Sequence, residues 1–189
     1  MGTLFVDKLD PQSGTSLEIG SSGDTITIPS GATIANSGTA TGFGGDNTPA
    51  FFAYLSANQT VAHNSTSRIN CNTEVVDTDS AYDNSSNYRF TVPSGKAGKY
   101  FFNGQVAFSA TVTDNHVGFA KNGSTTVVGG SYDTFFEAKG ANASTVNTSA
   151  IIDLAAGDYV EMFTFNTNGS VPTTSTGRTR FFGYRLIGA

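Results

Sequence analysis

The stretch from Lys99 to Thr111 constrains the fold of this chain more than any other. Tyr100, Phe102, Val106, Phe108 and Ala110 alternate there with Asn103, Gln105, Ala107 and Ser109. A period of two sends the first set to one face of a strand and the second to the other, so the segment belongs to a sheet with one buried face. The same pattern, cut by turn clusters, predicts strands near 50–56, 66–76, 87–93, 99–111, 115–121, 125–129, 132–138, 146–154, 158–166 and 178–187. About ten short strands at such spacing predict an all-β sandwich or barrel. Composition agrees: only 13% of residues are charged, so Ser, Thr, Asn and Gly must build the polar surface, and those residues favour strands and turns over helices.

Two strands are apolar on both faces. In Tyr159–Phe165, Val160 and Met162 lie on one side and Tyr159, Phe163 and Phe165 on the other. Near the C-terminus, Phe182, Tyr184 and Leu186 are expected to alternate inward, leaving Phe181 opposed. A monomeric sandwich does not show so much aromatic surface to water. The expectation is therefore that Tyr159, Phe163, Phe165 and Phe181 are buried against identical copies; the other reading is a local bulge that returns them to the core. Phe181→Asp is expected on this reading to split the assembly.

The first 45 residues follow a different logic. A short imperfect repeat runs through Ser13-Gly14-Thr15-Ser16-Leu17, Ser22-Gly23-Asp24-Thr25-Ile26, Ser30-Gly31-Ala32-Thr33-Ile34 and Ser37-Gly38-Thr39-Ala40, with starts separated by 9, 8 and 7 residues. Each Ser-Gly supplies a turn and each following stretch a short strand. Leu17, Ile19, Ile26, Ile28 and Ile34 then form a thin apolar face that is too small to stabilise a domain, so it must dock, either on copies of itself around a three-fold axis or on a neighbouring protein. A Gly-rich linker, 39–46, separates this arm (1–45) from the head (46–189).

The same inventory excludes several functions. A net charge of −5 and the absence of any basic cluster argue against nucleic acid. No run approaches the ~18 apolar residues of a membrane span. The opening Met1-Gly2-Thr3-Leu4-Phe5-Val6 lacks the features of a signal peptide or myristoylation site, which predicts folding in a cytoplasm. Cys71 has no cysteine to pair with and reads as a buried strand residue. His63 and His116 are far apart in sequence, and no nucleophile elbow, zinc-protease helix motif or phosphate-cradling loop occurs, so catalysis is not expected. No cofactor or metal is expected either. The polar loop carrying Asp77, Asp79 and Asp83, flanked by Tyr82 and Tyr88, is the one place for a calcium ion or a sugar face, and its spacing does not match an EF-hand loop.

Five segments carry a family likeness. Pro49-Ala50-Phe51-Phe52-Ala53, Tyr88-Arg89-Phe90-Thr91-Val92-Pro93 leading into Gly98-Lys99-Tyr100-Phe101-Phe102, Val117–Gly123, Ile151–Val160 and Phe181-Phe182-Gly183-Tyr184-Arg185-Leu186 resemble, in family order, the conserved runs of C1q/TNF-type jelly-roll domains. The loop Ser94-Gly95-Lys96-Ala97 is two residues longer than the family spacing, and Gly104 stands where an aromatic residue is expected. The resemblance implies a ten-stranded jelly-roll sandwich assembled as a homotrimer with its aromatic strands on the axis. Val6–Thr15 and Ser22–Thr33 resemble the start of virion structural proteins of marine and cyanobacterial tailed phages. Together they imply a virion-surface protein assembled in the host cytoplasm, with Leu17, Ile19, Ile26, Ile28 and Ile34 as its anchor. Two roles follow: a capsid decoration or cement protein, which the short arm favours over a fibre shaft, or a tail-fibre tip or adhesin whose apex binds a host surface glycan.

Overall fold

A computed structural model describes residues 8–38, 47–63, 65–109, 115–123, 145–166, 171–172 and 177–187. The chain divides into two units, Met1–Thr41 and Gly42–Ala189.

The described residues of the second unit form twelve strands: β1 (Ala50–Tyr54), β2 (Thr60–Val61), β3 (Ser67–Arg68), β4 (Thr73–Asp77), β5 (Tyr82–Asp83), β6 (Arg89–Thr91), β7 (Gly98–Ala107), β8 (Asn115–Lys121), β9 (Thr145–Leu154), β10 (Tyr159–Asn166), β11 (Val171–Pro172) and β12 (Arg180–Arg185). Among the described residues there is no helix. Strands β4-β1-β12-β7-β9 form one five-stranded sheet; β3-β10-β6-β5, with β8 along the other edge of β10, form a second; β11 and β2 make a short ribbon. From β6 to β10 each successive strand lies in the opposite sheet, the wrapping of a jelly roll.

The expected strand at 66–76 is two elements, because the chain crosses from one sheet to the other at Ile69–Asn72; buried Ile69 and Cys71 line that crossing. The strands expected at 125–129 and 132–138 lie outside the described residues.

The core is aromatic. Phe51 stacks on Tyr82 and Phe90 at 4.9 and 5.1 Å and meets the edge of Phe181 at 4.8 Å. Phe181 also stacks on Phe119 at 5.5 Å. This reverses one expectation: Phe181 is 1% exposed and belongs to the protomer's core, while Phe182 and Tyr184 stand outward. Two glycines decide the parity. In the β12–β7 register Phe181 faces Gly104 and Gly183 faces Phe102. A Cβ at Gly183 would lie 2.5 Å from the Phe102 ring and 2.8 Å from the Phe101 carbonyl oxygen, and one at Gly104 would lie 2.6 Å from Met162 Sδ. The core rings and Met162 occupy the volume that larger residues there would need, which accounts for glycine at 104 in place of an aromatic residue.

The β9–β10 turn is closed by Asp158, whose carboxylate accepts from the Asn122 amide at 2.8 Å and the Ala155 N–H at 2.9 Å and pairs with Lys121 at 2.7 Å. The Asn122 and Lys121 hydrogen bonds lower its pKa from 3.8 to about 2. A carboxylate whose folded pKa is depressed stabilises the fold above its unfolded pKa and loses that effect as pH falls through the folded value. Asp158→Asn is therefore expected to cost about 1–2 kcal/mol at pH 7. The difference from the unsubstituted protein should shrink between about pH 4 and pH 2, read by urea denaturation across that range.

Candidate functional site

Three Phe-Phe pairs sit on three adjacent strands of the β4-β1-β12-β7-β9 sheet: Phe51-Phe52 on β1, Phe181-Phe182 on β12 and Phe101-Phe102 on β7. Alternation forces one ring of each pair inward and the other outward. Phe51, Phe181 and Phe102 enter the core; Phe52, Phe182 and Phe101 are half-buried on the opposite face. Register then lines the outward rings up across the sheet. Val76, Phe52 and Phe182 form one cross-strand row, and Tyr184, Phe101 and Ile151 the next. The Phe52 and Phe182 rings meet edge to face at 6.0 Å, and Phe101 and Tyr184 lie 5.4 Å apart. Val76 is 43% exposed and Ile151 62%. Toward the other end of the strands the face turns polar. The Asn103 and Asn147 amides exchange hydrogen bonds of 3.1 and 3.0 Å, and Arg180 Nη2 donates to Gln105 Oε1 at 3.0 Å.

The outward face of the other sheet carries Tyr159, Phe163 and Phe165, all half-buried. The Arg89 guanidinium lies 3.9 Å from the centre of the Tyr159 ring, and His116 lies 5.9 Å from Phe165. Between them Glu161 is 7% exposed and ion-paired with Arg68 at 3.3 Å; Arg68 in turn lies over Tyr88 at 5.4 Å. Of the four aromatic residues expected at an interface, these three share one surface and Phe181 is elsewhere.

The acidic loop is occupied with its own backbone. Asp77 accepts from the Ala81 and Tyr82 N–H groups at 2.9 and 3.1 Å, and Asp79 accepts from the Thr78 hydroxyl at 2.7 Å. Asp83 accepts from the N–H groups of Ser85, Ser86 and Asn87, bonds that hold its carboxyl well below the usual range. Tyr82 is buried and donates to the Cys71 carbonyl at 3.0 Å. Among the described residues no group of three His, Cys, Asp or Glu side chains could hold a metal ion. Burial pushes the Cys71 thiol up to about 12, so it is protonated at neutral pH and not a nucleophile. His63 is exposed at the surface, remote in the chain from His116 on β8.

In the arm, no residue from 8 to 38 lies in a paired strand, contrary to the expectation of short strands. The turns form, at Ser21–Asp24 and Pro29–Ala32, but a strand needs a neighbour to complete its ladder. Leu17, Ile19, Ile26, Ile28 and Ile34 are between 43% and 60% exposed.

No protein-family model matches the chain, and no curated protein matches it in sequence. Solved structures do match in fold. The globular domain of the zebrafish complement 1qA protein superposes with a TM-score of 0.55 at 16% identity, over 74% of this chain and 98% of that one. The PRD1 vertex protein P5 gives 0.54 at 14% identity over 75% and 99%, and an Eiger TNF from S. frugiperda gives 0.52 at 13% over 74% and 93%. The head has the C1q/TNF-like jelly-roll fold.

Proposed function

We propose that this chain is a non-enzymatic phage virion structural protein, a homotrimer whose heads close on one another through the outward face of the β4-β1-β12-β7-β9 sheet. The observation that carries the reading is the cross-strand set Phe52, Phe101, Phe182 and Tyr184 with Val76 and Ile151, which among the described residues of the second unit form a contiguous and partly exposed apolar surface. Burying it against two copies removes it from water, and the Asn103–Asn147 and Gln105–Arg180 pairs beside it give the association a fixed register. The likeness of the head to a PRD1 vertex protein supports a place on the virion surface, reached after assembly in the host cytoplasm. The arm, 1–45, is the attachment element, and its exposed Leu17, Ile19, Ile26, Ile28 and Ile34 need cover in the assembly. On this reading the protein decorates or cements the capsid.

A second reading, a tail-fibre tip or adhesin, is favoured by one observation. Arg68, Tyr88, Arg89 and Tyr159 surround buried Glu161 on the other sheet's outward face, the kind of aromatic and charged surface that binds a glycan.

Deleting residues 1–45 is expected to leave a soluble trimeric head, because the described core cluster, Phe51 to Phe181, is drawn from the second unit. Mixed with intact particles, the truncated protein should fail to bind, whereas the full chain binds the head in many copies by electron microscopy. Undiminished binding by the truncated protein would assign attachment to the jelly roll. A few copies of the full chain at the tail alone would favour the adhesin.

A further inference from the structure

The arm makes the same turn twice, eight residues apart. Asp24 N–H donates to the Ser21 carbonyl at 3.0 Å and Ala32 N–H to the Pro29 carbonyl at 3.1 Å. The third residue of each turn is a glycine in the left-handed region, Gly23 at φ 95° and Gly31 at φ 86°, as a type II turn requires. A Cβ at either would meet nothing within 4 Å, so glycine is there for the backbone angle and not for space. Counted from the serine, Ser22–Pro29 reads Ser-Gly-Asp-Thr-Ile-Thr-Ile-Pro and Ser30–Ser37 reads Ser-Gly-Ala-Thr-Ile-Ala-Asn-Ser. Ser13–Gly20 has the same form, with Gly14 at φ 78° and Leu17 and Ile19 where Ile26 and Ile28 fall.

The side chains between the turns alternate by kind. Within each leg the apolar side chains (Leu17 and Ile19; Ile26 and Ile28; Ile34) take one parity and the polar ones (Glu18; Thr25 and Thr27; Thr33) the other. One side of each leg is therefore free of charge; the acidic Asp24 is bound into its own turn, accepting from Ser21 N–H at 2.7 Å.

We propose that the three arms of one homotrimer pair with each other as a three-chain β stem, the legs hydrogen-bonded edge to edge between copies and the five apolar side chains turned to the common axis. This rests on the trimeric reading above and commits the arm's apolar side to a second and third copy of this chain. Two arguments choose that occupant over a capsid protein. A leg-and-turn repeat presents the same contact at a regular pitch, and another copy of the same repeat is the partner that matches it rung for rung. The arms of a trimer are also tethered to one another through their heads: eight residues, 39–46, separate each arm from its head, and a chain of that length reaches at most about 29 Å, which keeps the three arms at a high effective concentration. Each leg then completes its ladder, and Glu18, Thr25, Thr27 and Thr33 remain in water. Attachment to the particle falls to the stem as a unit.

Hydrogen exchange on the full-length protein, purified away from any particle and with its mass measured in the same buffer, tests this. The expected result is a trimer whose amides between residues 16 and 36 exchange roughly 100-fold more slowly than in an unstructured chain. In Ile26→Asp/Ile28→Asp that protection should vanish while the head stays trimeric. A trimer with unprotected arms overturns the stem and leaves the trimeric reading standing. A monomer with unprotected arms overturns both. Arms still protected in the double variant, or in the Phe182→Asp protein diluted to a monomer, would mean that the protection does not come from apolar pairing between copies, and the stem would be wrong.

Discussion

Phe181→Ala is expected to destabilise the head by about 3–5 kcal/mol, the range for a large aromatic side chain removed from a closed core. Phe181 is 1% exposed and touches rings from both sheets: Phe51 at 4.8 Å, Phe119 at 5.5 Å, Phe102 at 5.9 Å and Tyr82 at 6.1 Å. Its cross-strand partners are Gly104 and Ala53, neither of which has a side chain long enough to move into the vacated volume. Urea denaturation checks the value. Phe181→Leu, which keeps most of the apolar volume, should lose less, and Phe181→Asp should fail to fold, because an unpaired carboxylate in this core has neither water nor a cation. A folded, soluble Phe181→Asp monomer would instead place the ring at a surface between copies.

Phe182→Asp, one residue on, is expected to do the opposite: the protomer folds and the trimer falls apart. The Phe182 ring is half-buried on the outward face, packed on Phe52 at 6.0 Å, and its removal opens no cavity in the core. In the assembled trimer the substitution sets three carboxylates in an apolar interface without partners, a penalty of several kcal/mol per buried charge. The expected readout is a sedimentation coefficient that drops to the monomer's at micromolar concentration, with an unchanged far-ultraviolet circular dichroism spectrum. A trimer that survives would move the interface elsewhere, with the Tyr159, Phe163 and Phe165 face of the other sheet as the first candidate.

This neighbouring pair also shows where the sequence stopped being legible. Alternation reveals that a run such as Phe181-Phe182-Gly183-Tyr184 is a strand, but a run apolar on both parities does not say which parity is inward, and a shift of one residue exchanges every side chain between core and surface. The inward side is set by what lies across the sheet: Phe181 fits over Gly104, and Phe102 leaves no volume at position 183. Those pairings join residues far apart in the chain. Once three Phe-Phe pairs are placed on adjacent strands, the outward aromatic surface follows, so the signal for Phe52, Phe101 and Phe182 was present in the sequence and needed only the strand order. The sandwich itself was readable because β7, β8, β9 and β10 are long enough to display their period. Strands β2, β5 and β11 have two residues each and show no period at all. In the acidic loop, composition could not separate a cation site from turn caps, since Asp serves both; the distances to the Ala81, Tyr82, Ser85 and Ser86 amides assign Asp77 and Asp83 to the turns. In the arm the turns were legible from Ser-Gly, whereas the expected strands are not paired between residues 8 and 38, because the sequence of a leg does not say whether a neighbour lies beside it.

The mass of the unsubstituted, full-length protein in solution tests the central claim most directly. A homotrimer closed through the Phe52, Phe101, Phe182 and Tyr184 face should sediment at three times the chain mass at micromolar concentration and remain trimeric on dilution to tens of nanomolar, as interfaces with a buried aromatic centre commonly do. A single species at the mass of one chain at micromolar concentration would contradict it.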